Sequence, residues 1–160
     1  MMLQVDLLLC SASPRRAALL QKLGVPFRVC PVNVPETPLP GEIPWNTAWM
    51  LQALSGRTHR VDTAVALGGR GFLRIVTCTT EAEMRQYNAR AISDSVASDE
   101  PMDKAGAYSI QDRALQPVRW IRGLYSNVVG LPLAPTARLL RHGNIMVSAD
   151  VRQRAAAEEA

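Results

Sequence analysis

A short apolar run, Val5 to Cys10, breaks directly into Ser11-Ala12-Ser13-Pro14-Arg15-Arg16, and a helical pattern starts at Pro14. The run has the length of a buried strand. Beyond Pro14, Ala17, Leu20 and Leu23 share one helical face, Leu19 widens it, and Gly24 supplies the stop. Phe27 to Val32 reads as a second strand. Strand, helix, strand is the signature of an α/β fold, and no other stretch constrains the architecture as strongly.

The turn between strand and helix is itself suited to anions. Ser13 can cap the helix, and Pro14 fits the first helical position, where no backbone N–H is needed. The remaining N–H groups and the positive end of the helix dipole face an incoming anion. Ser11 and Ser13 add hydroxyls, while Arg15 and Arg16 add charge and a fork geometry that matches phosphate oxygens. A plain helix cap with solvated arginines is the competing reading. Two serines and two arginines at the carboxyl end of a first strand favour a site.

The rest of the chain reads as one domain. At 160 residues, 48% hydrophobic and 20% charged, it has an ordinary soluble balance and enough length to bury a core. The net charge of +4 favours anionic ligands. It is dispersed, and only three Trp, three Tyr and two Phe are present for stacking, which argues against a nucleic-acid-binding module. Cys10, Cys30 and Cys78 are odd in number and far apart, which argues against a disulfide framework and against a zinc site. The N-terminal stretch lacks a basic n-region and is interrupted by Asp6; no run approaches the ~18 apolar residues of a membrane span. A cytoplasmic location and no membrane association are expected.

Pro35, Pro38, Pro40 and Pro44 exclude a helix or central strand between them. Thr47 to Leu54 reads as a short helix closed by Ser55-Gly56. Val61 to Leu67 and Leu73 to Thr80 read as a hairpin around Gly68-Gly69-Arg70-Gly71. A helix is expected from Glu81 to about Val96, a glycine-punctuated loop from Asp103 to Gln111, a strand near Val118 to Ile121, and a last helix from about Pro135 to His142. The domain is expected to span 1–143, with 144–160 a frayed Ala/Glu/Arg-rich tail.

Several segments, in order, resemble the Maf family of nucleoside triphosphate pyrophosphatases. They are Leu7 to Arg16, Leu19-Leu20 with Leu23-Gly24-Val25, Val34-Pro35-Glu36, Leu54 to Val61, Ser98 to Gly106, Tyr108-Ser109-Ile110-Gln111 and Val129-Gly130-Leu131-Pro132-Leu133. The resemblance implies an α/β fold of the inosine-triphosphate-pyrophosphatase type, with a mixed sheet, flanking helices and a cleft, often as a homodimer. It implies a divalent cation, Mg²⁺ or Mn²⁺, and cleavage of a nucleoside triphosphate to the monophosphate and pyrophosphate. By matching position, Ser11, Ser13 and Arg16 would hold phosphates, Glu36 would place the metal or the attacking water, and Lys104 would line the cleft. Arg15 and Gln111 fall where specificity branches divide, and both look like the dTTP/UTP branch.

One departure bears on the chemistry. Near residues 43–48 the family places more chain: a helix with a lysine, a strand ending in Asp-Thr with the catalytic aspartate, and a Lys-Pro. Here Gly41-Glu42-Ile43-Pro44 runs almost directly into Trp49 to Gly56, and no lysine lies between Lys22 and Lys104. The pattern reads as an internal deletion of a core segment, with impaired catalysis or a purely nucleotide-binding remnant as its consequence. Asp62-Thr63-Ala64-Val65 superficially repeats the Asp-Thr pattern, but it follows the Leu-Ser-Gly turn and reads as a strand-edge aspartate. An unpaired strand edge or an exposed apolar patch would be the physical symptom of lost sheet.

Overall fold

The computed structural model describes residues 6–32, 47–97, 104–113 and 115–147. The proline-rich stretch with Glu36, the Ser98–Asp103 motif and the tail from 148 onward lie outside them. Helices and small sheets alternate, a mixed α/β architecture. The chain divides into two compact units, one of residues 1–33, 61–80 and 123–160, the other of residues 34–60 and 81–122.

The first unit begins with β1 (Leu8–Leu9), α1 (Pro14–Lys22) and β2 (Arg28–Val29), the expected strand–helix–strand. The two strands are parallel, in the register Leu8↔Arg28 and Leu9↔Val29, and shorter than the apolar runs that announced them. Leu19, Leu20 and Leu23 of the amphipathic stretch are buried, as the spacing requires. Each fully buried leucine contributes roughly 1.5–3 kcal/mol from apolar surface removed from water. They pack with Leu131, Leu133, Ala137, Leu139 and Leu140, most of them on α5 (Leu133–His142), and with Leu67. Ile145 and Val147, beyond the end of α5, also join this core. The helix therefore starts two residues before Pro135, and the packed chain continues past Gly143.

A short helix that the glycine-rich spacing concealed, α4 (Tyr125–Val129), precedes α5. Its Asn127 is fully buried and donates through Nδ2 to the Val61 carbonyl at 2.9 Å, the Cys78 carbonyl at 3.3 Å and Thr80 Oγ1 at 3.0 Å. Thr80 Oγ1 in turn donates to the Leu124 carbonyl at 3.2 Å. Gly123 makes this approach possible. Its φ is +122°, and a Cβ there would sit 2.8 Å from Thr80 Oγ1.

The hairpin forms as expected, from β3 (Thr58–Gly69) and β4 (Phe72–Met84), and β5 (Val118–Arg122) completes a three-stranded sheet in the order β3-β4-β5. The helix expected from Glu81 is not there: β4 continues through Met84, and α3 runs only over Ala89–Ala97. The period of two decides it. Thr80, Ala82 and Met84 are buried, while Glu81 and Glu83 alternate between them. Those two carboxylates meet Arg122 at 3.5 Å and Arg119 at 3.1 Å on antiparallel β5, cross-strand pairs that a helix could not make. α3 begins where Asn88 Oδ1 accepts from the Ala91 N–H at 2.8 Å, a cap that marks the true start.

In the second unit α2 (Thr47–Leu54) has the expected bounds and packs against α3 and a 3₁₀ turn at Ala105–Ala107. Tyr87 fastens the chain after β4: its N–H donates to Ser55 Oγ at 2.8 Å and its hydroxyl to the Pro117 carbonyl at 2.6 Å. Among the described residues no helix is long and apolar enough to cross a membrane.

Candidate functional site

The Ser11–Arg16 turn is a hydrogen-bonded unit. Ser13 has extended backbone angles (φ −71°, ψ 117°), and its Oγ accepts from the Arg16 N–H at 3.4 Å, capping α1. Pro14 occupies the first turn, as its missing donor and fixed φ favour. Ser11 Oγ accepts from the Ser13 N–H at 3.3 Å and from Arg16 Nη1 at 3.2 Å. Arg16 Nε donates to the Gly130 carbonyl at 3.2 Å, so the guanidinium is held from two sides. Three of the four sequence-predicted residues of this turn, Ser11, Ser13 and Arg16, thus meet in one cluster at a helix N-terminus. Arg15 follows them on the first turn of α1. A serine-lined helix N-terminus with an anchored, exposed arginine is the chemistry that binds phosphate oxygens.

In the second unit Lys104 opens the 3₁₀ turn, which closes with the Ala107 N–H donating to the Lys104 carbonyl at 3.0 Å. Gly106 and Ala107 both have positive φ, +76° and +59°. Ala107 is fully buried and not a glycine, and holding it there costs about 1–2 kcal/mol. Tyr108 follows, with its hydroxyl 2.9 Å from His59 Nε2 and its ring edge-on to the imidazole. Gln111, exposed, donates its N–H to Ser109 Oγ at 3.2 Å. The segment that carries Lys104 and Gln111 is therefore a strained turn pinned to β3 through a part-buried pair. Sequence reasoning missed His59 and Tyr108 as partners; their separation by 49 positions hides the pairing.

Burial lowers the pKa of His59, partly opposed by the Ala82 backbone, and raises that of the Tyr108 hydroxyl to about 12. Both groups are thus held neutral near pH 7, and the pair is a neutral hydrogen bond.

Asp62 lies exposed in β3, where its Oδ1 accepts from Thr79 Oγ1 of β4 at 2.5 Å, a cross-strand contact of the kind that stabilises hairpins. Glu36, the expected metal ligand, is outside the described residues. Among the described residues no group of three or more His, Cys, Asp and Glu side chains converges, so they do not by themselves fit a divalent cation. A cavity of about 320 Å³ in the second unit is lined by Gln52, Ser55, Gln86 and Tyr87 among others, and by none of the predicted site residues.

A parallel strand–helix–strand opening followed by an antiparallel three-stranded sheet and flanking helices defines a mixed α/β protein. The pattern of the Maf-like protein family matches residues 42–143, and the chain belongs to that family. It is 40% identical to a dTTP/UTP pyrophosphatase of Thermomicrobium roseum, over 90% of this chain and 87% of the relative. It is 34% identical to a dTTP/UTP pyrophosphatase of Koribacter versatilis, over 90% of this chain and 97% of the relative. A dTTP/UTP pyrophosphatase of Salmonella typhimurium is 48% identical over 101 residues, 63% of this chain and 51% of the relative.

Proposed function

We propose that this chain hydrolyses dTTP and UTP to the monophosphate and pyrophosphate, at a rate below that of relatives that retain the catalytic aspartate. The observation that carries the reading is the Ser11–Ser13–Arg16 cluster at the start of α1, in a chain whose relatives are named for that activity. In this scheme the two serine hydroxyls and the Arg16 guanidinium hold phosphate oxygens. Lys104 adds charge, and Arg15 and Gln111 select the pyrimidine nucleotide. Water attacks the α-phosphorus, and the bridging oxygen leaves with the β- and γ-phosphates as pyrophosphate.

Glu36 is the proposed protein ligand for Mg²⁺ or Mn²⁺, placing the metal or the attacking water in a site that lacks the family's catalytic aspartate. A hard cation of this kind takes the rest of its coordination from water and the substrate's own phosphates, which a site with a single carboxylate can accommodate. No step is assigned to the metal itself.

Reduced turnover follows from the deletion proposed near residues 43–48. The alignment with the Thermomicrobium roseum relative runs over 191 residues although it takes in 90% of a 160-residue chain, which supports several tens of residues without a counterpart here. Loss of a general base costs on the order of 10²–10⁴ in rate. Asp62 is not proposed as its replacement, since its carboxylate is engaged by Thr79.

The test is a nucleotide-binding titration run beside a pyrophosphate-release assay, with dTTP and UTP and either cation. Binding with slow release supports the reading. Binding without any release assigns a nucleotide-binding remnant of the family. Absence of binding removes the site.

A further inference from the structure

Two of the three cysteines, Cys10 and Cys30, are far apart in sequence but lie at the ends of neighbouring strands. The β1–β2 register pairs Leu8 with Arg28 and Leu9 with Val29, and one further step sets Cys10 opposite Cys30. The strands are still hydrogen-bonded at that point, because the Cys30 N–H donates to the Leu9 carbonyl at 2.9 Å. Facing Cα atoms on neighbouring strands are about 4.8 Å apart, inside the roughly 4.4–6.8 Å window of a disulfide.

Alternate residues along β1 share an exposure: Leu7 and Leu9 pack against the core, while Leu8 is 45% exposed and Cys10 is exposed. Along β2 the corresponding positions Arg28 and Cys30 are exposed too, and Asp6 meets Arg28 at 3.5 Å on this side. Both thiols are free and exposed, so a small oxidant can reach them. Cys78 belongs to β4 and has no place in this register.

We propose that Cys10 and Cys30 are a reversible disulfide-forming pair, a redox-modification site at the root of the Ser11–Arg16 turn. The oxidant is a low-molecular-weight disulfide of the glutathione type. One protein thiolate attacks a sulfur of that disulfide and releases one small thiol, leaving a mixed disulfide. The second protein thiolate then displaces the other small thiol and closes the Cys10–Cys30 bond. Two protein thiols lose two electrons and two protons, and one small disulfide becomes two thiols. The pair stands on the β1–β2 register alone, independently of any nucleotide.

The test incubates the full chain in mixtures of reduced and oxidised glutathione, then reads intact mass and maps the peptides without reduction. Wild type and Cys78→Ser are expected to lose about two mass units, to yield one linked species joining Cys10 to Cys30, and to recover on adding dithiothreitol. Cys10→Ser and Cys30→Ser are each expected to retain a glutathione adduct on the remaining partner. Persistent separate adducts on Cys10 and Cys30 in the wild type, or a link to Cys78, would overturn the proposal.

Discussion

His59 Nε2 and the Tyr108 hydroxyl lie 2.9 Å apart, joining the second residue of β3 to the turn that carries Lys104 and Gln111. The contact is edge-on, with the ring planes at 89°, and Tyr108 is buried. It holds in place a turn whose Ala107 is otherwise unfavourable. Tyr108→Phe removes the hydroxyl and leaves His59 Nε2 unsatisfied, at an expected cost of about 1–3 kcal/mol in chemical denaturation.

The same pair sets an acid limit on stability. Because burial depresses the folded-state pKa of His59 below its ordinary 6.5, the unfolded chain takes up the proton first as pH falls. This contribution is fully present above pH ~6.5 and is lost as pH falls from there toward the depressed folded value. At the alkaline end the raised Tyr108 pKa, about 12, makes stability fall as pH rises past about 10. Denaturation midpoints between pH 5 and 8 should show the acid loss in the wild type and a smaller one in His59→Phe. Equal slopes in both would rule out His59 as its source.

Arg16 should matter for binding more than for folding. Its side chain is exposed, and its bonds to Ser11 Oγ and the Gly130 carbonyl orient it without burying it. Arg16→Ala is expected to weaken nucleotide affinity about tenfold to a hundredfold, the range for a hydrogen bond to a charged group. Arg16→Lys should recover only part of that, since an ammonium cannot bridge two acceptors and a phosphate in one plane. Thermal midpoints measured alongside the titration separate this from unfolding.

Asn127 and Gly123 define the opposite case, where the effect is structural. Asn127→Ala removes a buried amide whose two N–H donors are shared among the Val61 and Cys78 carbonyls and Thr80 Oγ1. The expected loss is about 2–3 kcal/mol. Gly123→Ala places a methyl against Thr80 Oγ1 at positive φ and should cost about 1–3 kcal/mol. Urea denaturation measures both.

Asp62 is expected to be dispensable for turnover. Asp62→Asn keeps the acceptor for Thr79 and should leave both stability and pyrophosphate release within about twofold of wild type. A hundredfold loss of release would instead make this carboxylate the base.

Local signals made the first third of the fold readable. Ser13, Pro14 and the leucine spacing fixed where α1 begins and which face it buries, and Ser55-Gly56 fixed the end of α2. The Glu81–Val96 stretch misled because Glu81, Glu83 and Met84 suit a helix by propensity, whereas their partners Arg119 and Arg122 lie more than 35 positions away. The phosphate turn was legible because its chemistry is contiguous. The His59–Tyr108 pair and the Cys10–Cys30 juxtaposition were not, since each depends on strand placement and not on spacing along the chain. The exposed Leu8 and Val29 on a two-stranded parallel sheet are what the proposed loss of sheet would leave behind, because parallel strands normally have both faces covered.

The most direct test of the proposed activity is pyrophosphate release from dTTP and UTP by the full chain with Mg²⁺ or Mn²⁺, compared with an intact relative. The expected result is release of pyrophosphate and the monophosphate, slower by about 10²–10⁴ and further reduced at subsaturating nucleotide in Arg16→Ala. Orthophosphate as the only product, or release unaffected by Arg16→Ala, would contradict it.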